Sequence, residues 1–434
     1  MTARTGDAGS APAGPMRTEV PPVGGDGLAP MPGHRRLLPT VFLATFFIRF
    51  GFGITTSVFF FYLGSNVETV GLAAAAAPAI EFSTVLLSGM ASDRYGRFVV
   101  LQGGLLLGAG LLVLMSMTRE ALFQTLMNGF FGLSSGAILA ASLAIIGDTS
   151  GRGERGLEMG RFDAANLFGW IAGFAFGYIT VSAVQGQKFP DHLRVAFLVG
   201  AVMVMVALAL VFYETRGLWE VGRPEVFSRE RLREAILDPD ILLVVLPWAT
   251  IYMLLGALFT FLGSAADSLK VPLWELGGVI AVGGSILLLT QPFYGKLADR
   301  WGRTPVMAIG VLGFLGVLAA GGWIAVRGFD LVALGGIVVS AVAALAFGPS
   351  SLAALTDLSR RITRGTTMAL YSMMIAIGMA LGLLLSSGLY VLLGNRGVAV
   401  FFGIVAAFLI TLTVLRLARE HRSRAGPKAV AATE

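Results

Sequence analysis

The sequence predicts an all-α integral membrane protein of twelve transmembrane helices in two related halves, and three observations carry that expectation. The first is composition: 56% of the residues are hydrophobic and 13% charged, with a mean hydropathy of +0.79, far more apolar than soluble domains of average usage. The second is a series of twelve apolar stretches, each close to the roughly 20 residues a helix needs to cross a ~30 Å hydrocarbon core. The third is an internal repeat. The loop Gly89-Met90-Ala91-Ser92-Asp93-Arg94-Tyr95-Gly96-Arg97 returns 206 positions later as Gly295-Lys296-Leu297-Ala298-Asp299-Arg300-Trp301-Gly302-Arg303. Asp148 with Arg155-Gly156 returns 209 positions later as Asp357 with Arg364-Gly365. Duplication of this kind characterises secondary transporters, whose two similar bundles rock around a site between them.

Taken in order, residues 1–36 are rich in Gly, Pro, Ala and polar residues and lack the apolar core of a signal peptide. They read as a disordered tail, which leaves the first span to direct insertion. In the first half, residues 37–214, spans are expected near 38–61, 70–91, 98–117, 121–147, 160–183 and 194–213. In the second, residues 241–418, they are expected near 241–264, 274–295, 304–325, 331–356, 366–393 and 397–418. Helix is the expected form, because lipid leaves backbone polar groups unsatisfied and these segments are too long and too uniformly apolar for barrel strands. The segment 215–240 between the halves reads as a linker. Ser228 is a candidate N-cap there for a short amphipathic surface helix beginning Arg229-Glu230-Arg231-Leu232. Residues 419–434 form a second tail.

Charge sets the expected orientation. Over the loops and their immediate span edges, with both tails omitted, Lys and Arg number 16 on one side and 6 on the other. The richer side holds both repeated loops and the linker, and by the positive-inside rule it is cytoplasmic. Both tails then lie in the cytoplasm of a multi-pass protein of the cell membrane. The net charge of +6 and the isoelectric point near 9.8 follow from this asymmetry and do not point to nucleic acid. Cysteine is absent, which excludes disulfides and thiol-ligated metals.

The repeated Gly-x-x-x-Asp-Arg-x-Gly-Arg loop between spans two and three and between spans eight and nine, with Arg-Gly after spans four and ten, resembles the signature of the major facilitator superfamily. The resemblance covers roughly residues 38–418. It implies two pseudo-symmetric six-helix bundles around a central cavity, with spans 1, 4, 7 and 10 lining it, spans 2, 5, 8 and 11 at the bundle interface, and spans 3, 6, 9 and 12 facing lipid. The span interiors give independent support: spans 3, 6, 9 and 12 contain no ionisable group, whereas the intramembrane charges fall on spans 1, 2 and 5. The resemblance also implies that Gly89, Asp93, Arg94, Gly96 and Arg97, with Gly295, Asp299, Arg300, Gly302 and Arg303, latch an outward-open state and release during rocking. Physically, Gly89 and Gly295 allow close helix approach and Gly96 and Gly302 permit a turn with positive φ. Asp93 and Asp299 can cap a helix N-terminus, and the arginines can reach carboxylates across the interface. A basic, topology-setting loop is the alternative, and for Arg155 and Arg364 the two readings stand equal.

Inside the membrane, Arg49 and Glu81 form the most pointed pair. Arg49 lies 12 residues beyond Leu37 and Glu81 12 residues before Asp93, so both sit roughly 18 Å from the basic face at 1.5 Å per residue. Equal depth on neighbouring antiparallel helices predicts direct pairing, as a structural bridge or as a coupling or substrate group. Asp163, with Asn166, is expected near the surface in a solvated or capping role. Asn128 occupies the place in span 4 where proton-coupled drug exporters of the superfamily carry Arg. Gly169-x-x-x-Gly173-x-x-x-Gly177 resembles their glycine run without its proline, close helix packing being the alternative. Tyr252, Gln291 and Tyr371 are candidate cavity-lining residues.

No Gly-x-x-x-x-Gly-Lys-Ser/Thr motif supports ATP-driven transport. His34, His192 and His421 all lie outside the spans, so proton coupling would fall to carboxylates, Glu81 first. No nucleophile–base group, metal cluster or cofactor motif emerges, so an enzyme has little support. The expectation is a monomeric secondary active transporter that moves a small amphipathic molecule by alternating access, as proton-linked efflux. Proton-linked uptake, or a non-transporting sensor or assembly protein on the same fold, are the alternatives. The partners expected are the lipid bilayer, the small-molecule substrate and protons.

Overall fold

The computed structural model of the 434-residue chain describes residues 34–62, 67–149, 155–183, 191–216, 233, 237–269, 273–327, 330–358 and 364–431. Among them the structure is all-helical. The first half contains α1 (Leu38–Tyr62), α2 (Val67–Tyr95), α3 (Arg97–Met115), α4 (Ala121–Thr149), α5 (Arg155–Ala183) and α6 (Asp191–Glu214), one helix per expected span. The second half contains α7 (Pro239–Leu269), α8 (Leu273–Leu289), α9 (Gln291–Trp301), α10 (Arg303–Arg327), α11 (Leu331–Ala344), α12 (Phe347–Leu358), α13 (Arg364–Leu393) and α14 (Asn395–Ala431). Among the described residues, eleven segments are long and apolar enough by themselves to cross a membrane. The twelfth, span 8, is divided at Thr290 into α8 and α9. Span 10 bends between α11 and α12. Each break falls beside a proline, Pro292 and Pro349, which has no N–H to return to the carbonyl four residues earlier. The tail before His34 and most of the linker, with the Ser228 helix, lie outside the described residues.

Glycine sets how closely the helices pack. The backbone of α5 lies against α1, where a methyl group at Gly169 or Gly173 would come within 2.3 or 2.0 Å of the Phe46 or Phe50 carbonyl oxygen. The second half repeats this between α13 and α7, where one at Gly378 or Gly382 would meet the Ala249 or Met253 carbonyl oxygen at 2.3 Å. Gly169 and Gly173 stand 209 positions before Gly378 and Gly382, the spacing of the Asp–Arg-Gly repeat. Close backbone approach of this kind is the usual basis of helix association in lipid, where no hydrophobic force draws helices together. Hydroxyls in the spans mostly turn back to their own helix: Thr45 donates to Val41 O at 3.0 Å, Thr180 to Phe176 O at 2.8 Å and Thr250 to Leu246 O at 2.9 Å. They are thereby satisfied without a partner helix.

The halves meet along two lines, α2 against α13 and α5 against α8, which are spans 2 and 11 and spans 5 and 8. Contact is tight in the half remote from the basic loops. There a methyl group at Gly71 would lie 2.6 Å from Ser387 Oγ, and one at Gly277 3.0 Å from the Ala175 carbonyl oxygen. Toward the basic face the packing opens, and a methyl group at Gly89 or Gly295 would meet nothing within 4 Å. The expected close approach at these two glycines is therefore corrected: no neighbour lies against either, and the tight glycine contacts between the halves are found away from the basic loops. Outward faces of spans 3, 6, 9 and 12 expose Leu106, Val202, Leu312 and Ile404.

Candidate functional site

A small recess lies between the two halves near mid-depth. Phe52 (α1), Pro78 and Glu81 (α2) and Trp170 (α5) line it from the first half, and Tyr252 (α7) and Met379 (α13) from the second. At its polar end Arg49 meets Glu81 in a bidentate pair, Nη1 to Oε2 at 3.1 Å and Nη2 to Oε1 at 2.7 Å. Arg49 Nε donates to Asn166 Oδ1 at 2.6 Å, and its guanidinium carbon lies 5.4 Å from the centre of the Phe52 ring. The Glu81 side chain is 4% exposed and that of Arg49 11%. Two charges withdrawn this far from water persist because each faces the other and the remaining guanidinium edge is hydrogen bonded. Three helices, α1, α2 and α5, are thus tied at one point.

The structure moves several expected residues. Asp163 is buried, 6% exposed, and not solvated. The reason is twofold: α5 begins at Arg155, so Asp163 lies more than two turns inside it, and Asp163, Asn166 and Trp170 fall on one helical face. Asn166, expected near the surface, holds Arg49. Tyr252 is buried and lines the recess as expected. Asn128 lies elsewhere, its amide donating to the Ala73 carbonyl of α2 at 2.7 Å. The expectation that spans 4 and 10 line the cavity is corrected for this recess, whose lining comes from spans 1, 2, 5, 7 and 11. Leu331 and Val339 of span 10 are exposed. The physical reason is the packing between the halves, which sets span 2 against span 11 and span 5 against span 8. The side chains of Asp93, Arg155, Gln291, Arg364 and Tyr371 lie outside the described residues.

In the repeated loops, Gly96 and Gly302 have φ of 101° and 94°, a region costly for residues with a Cβ. Each lets one helix end and the next begin within a single residue. Arg97 Nη1 donates to the Ala144 carbonyl of α4 at 3.0 Å, and Arg303 pairs with Asp299. Each of these contacts lies within one half. Arg94 and Arg300 are exposed.

Comparison with known proteins agrees with this architecture. The family model described as Major Facilitator Superfamily matches residues 41–326 and 284–433. The multidrug resistance protein MdtG of Salmonella choleraesuis is 24% identical over 250 residues, 53% of this chain and 58% of that one. The chain thus spans little more than half the length of the MdtG relatives it matches. An uncharacterised MFS-type transporter of Methanocaldococcus jannaschii is 22% identical over 393 residues, 87% of this chain and 97% of that one. Among solved structures, a bacterial homologue of the human lysosomal transporter Spinster, in an inward-facing and unoccupied conformation, aligns with a TM-score of 0.65 at 13% identity. That alignment covers 90% of this chain and 96% of the other. A family match over nearly the whole chain, the duplicated loop and two helical bundles meeting at spans 2 with 11 and 5 with 8 lead to one conclusion: the chain belongs to the Major Facilitator Superfamily.

Proposed function

We propose that this protein exports a small amphipathic molecule across the cell membrane by alternating access, driven by protons, with both termini in the cytoplasm and the monomer as the working unit. The observation that carries the reading is the Arg49–Glu81–Asn166 cluster at mid-depth in a recess to which both halves contribute. An ionised carboxylate is tolerated there while Arg49 faces it. If rocking parts the pair, taking up a proton is the other way to remove the charge, which is the property a proton-coupled step requires. Tight contact away from the basic loops supports rocking, since opening that face and closing the other would turn the recess toward the opposite side of the membrane. With the basic face cytoplasmic, the present arrangement is inward-open, and closing that face is the step in which the loops at Asp93 and Asp299 would latch. MdtG is named a multidrug resistance protein, and that likeness favours efflux.

The test uses inside-out vesicles, a panel of amphipathic compounds read by mass spectrometry and an imposed pH gradient. Accumulation of at least one compound should require the gradient and vanish in Glu81→Gln. If the gradient moves no compound that the purified protein demonstrably binds, the transport reading is wrong.

A further inference from the structure

We infer that the recess is a hydration site in this arrangement, holding water that links the Tyr252 hydroxyl of the second half to the Arg49–Glu81 pair of the first, and that Tyr252 is the positioning residue through which the second half meets the proton-taking carboxylate. The inference deepens the proposed function and rests on it only in giving Glu81 the proton. Size is its first support. The recess encloses about 30 Å³, and a buried water needs roughly 10–15 Å³ of such space with two to four polar partners. One or two waters fit. Partners are present at the polar end, where Arg49, Glu81, Asn166 and Tyr252 line the space. Each Glu81 oxygen accepts one bond from Arg49, and a carboxylate oxygen has room to accept another.

The second support is the relation between the halves. Gly169 and Gly173 approach the carbonyl oxygens of Phe46 and Phe50, and Gly378 and Gly382 approach those of Ala249 and Met253, so α7 repeats α1 at 203 positions while α13 repeats α5 at 209. Gly53 and Gly256 agree, the first lying against the Trp170 carbonyl and the second against that of Met379. At those offsets Tyr252 stands where Arg49 stands in the first half, and Ile375 where Asn166 stands. The second half thus sets a hydroxyl in place of a guanidinium and a hydrocarbon in place of an amide. Of its lining residues, Tyr252, Ile375, Ala376 and Met379, Tyr252 alone brings a side-chain O–H or N–H. Tyr252 is 5% exposed, and its ring packs beside Trp170 and Trp248 with centroids 6.5 and 5.9 Å away. The charges acting on its hydroxyl are those of Asp163 on α5, Arg49 on α1 and Glu81 on α2. Helices α4 and α13, packed against α2 and α7, carry no Asp, Glu, His, Lys or Arg over 121–147 and 366–393. A phenol hydroxyl both donates and accepts. Through water it can therefore serve Glu81 ionised, as an acceptor, and Glu81 protonated, as a donor.

The experiment is infrared difference spectroscopy, acid minus neutral, of the full chain in lipid nanodiscs, in ordinary water and in water labelled with oxygen-18. Two signals are read. One is the carbonyl stretch of a carboxylic acid that disappears in Glu81→Gln; the other is an O–H stretch that shifts with the oxygen label and so belongs to bound water. Tyr252→Phe keeps the ring and removes the hydroxyl. In that variant the water band should be lost and the Glu81 carbonyl stretch should move to higher frequency, because the hydrogen bonding that reached it through water has been cut. Should Tyr252→Phe fail to fold, 4-fluorophenylalanine at position 252 fills the hydroxyl's place without its hydrogen and should give the same two changes. An O–H band insensitive to the label, or both signals unchanged without the hydroxyl, would overturn the inference. A carbonyl band that answers to Asp163→Asn and not to Glu81→Gln would overturn the link to Glu81. Absence of the two changes with gradient-driven transport intact would remove the hydration site and the role of Tyr252 alone, whereas both changes present without transport would remove the transport reading alone.

Discussion

Arg49 and Glu81 occupy equal depths on antiparallel helices, a relation that follows from counting residues inward from the basic loops. Their bidentate geometry of 3.1 and 2.7 Å makes them interdependent, which a double-mutant cycle can measure. Arg49→Gln should strand Glu81 and lower stability by about 3 kcal/mol or more, and Glu81→Gln should strand Arg49 in the same way. If the pair only braces α1 against α2, the double variant Arg49→Gln with Glu81→Gln should recover both thermal stability and pH-driven transport. If Glu81 carries the proton, the double variant should recover stability alone. Full transport in the double variant would falsify the coupling role. Asn166 was legible only in part: its polarity stood out in span 5, but an expected start at 160 put it one turn inside the helix and near the surface. Trp170 carried a weak signal, as the one indole in a span otherwise rich in glycine and alanine, placed seven residues after Asp163 on the same helical face.

At the scale of elements, the glycine-lined pairs α1–α5 and α7–α13 are the main seams of the two bundles. A side chain at Gly173 would meet the backbone oxygen of Phe50, which no rotamer change can clear. Gly173→Val should force α1 and α5 apart and lower the melting temperature and folded yield, by roughly 1–3 kcal/mol or more on overpacking scales. Gly382→Val should do the same in the second half. Gly89→Ala, with open space around it, should leave thermal stability near wild type, and fluorescence-detected size exclusion on heated samples compares the three. The sequence showed the first of these glycine runs; its counterpart at 209 positions became meaningful only once both were seen facing a neighbouring backbone.

A second element-scale case is the exposed start of α11. The Asp330 carboxyl is held below the usual carboxylate range first by the Ala333 N–H, at 2.7 Å, and then by the Trp323 indole N–H. A lowered folded-state value means the cap contributes above the ordinary value of 3.8 and is lost as pH falls through the lower folded value. Hydrogen exchange at Ala333 should therefore accelerate only in strong acid, and Asp330→Ala should show fast exchange at every pH. Equal protection in the variant at neutral pH would remove the cap from the account.

For the whole molecule, the tight seam between the halves away from the basic loops is the observation with most consequence. In this naturally Cys-free chain, Gly71→Cys with Ser387→Cys should form a disulfide across α2 and α13 under mild oxidation. Transport should fall at least about tenfold and return on reduction, since a lock on one face blocks the exchange of states that alternating access requires. Unchanged transport in the fully cross-linked protein would mean that this seam does not need to open. Orientation has its own test. Single cysteines should be labelled from outside intact cells near Lys188 and not near Arg303, and external labelling near Arg303 would reverse the positive-inside assignment.

The sequence by itself determined the class of protein, the number of spans, the duplication and the depth of the central ion pair. Each of these depends on quantities that are local or additive along the chain: hydropathy over about 20 residues, loop charge, repeat spacing and rise per residue. The tertiary structure decided where spans 8 and 10 break, that Asp163 is buried, that Asn166 and Trp170 join the site, and that spans 2, 5 and 11 line the recess in place of 4 and 10. Those outcomes depend on which faces of separate helices meet and on where the two bundles touch. No pattern within one helix encodes that, because in an apolar solvent a helix face that packs against protein and one that faces lipid can carry the same residues.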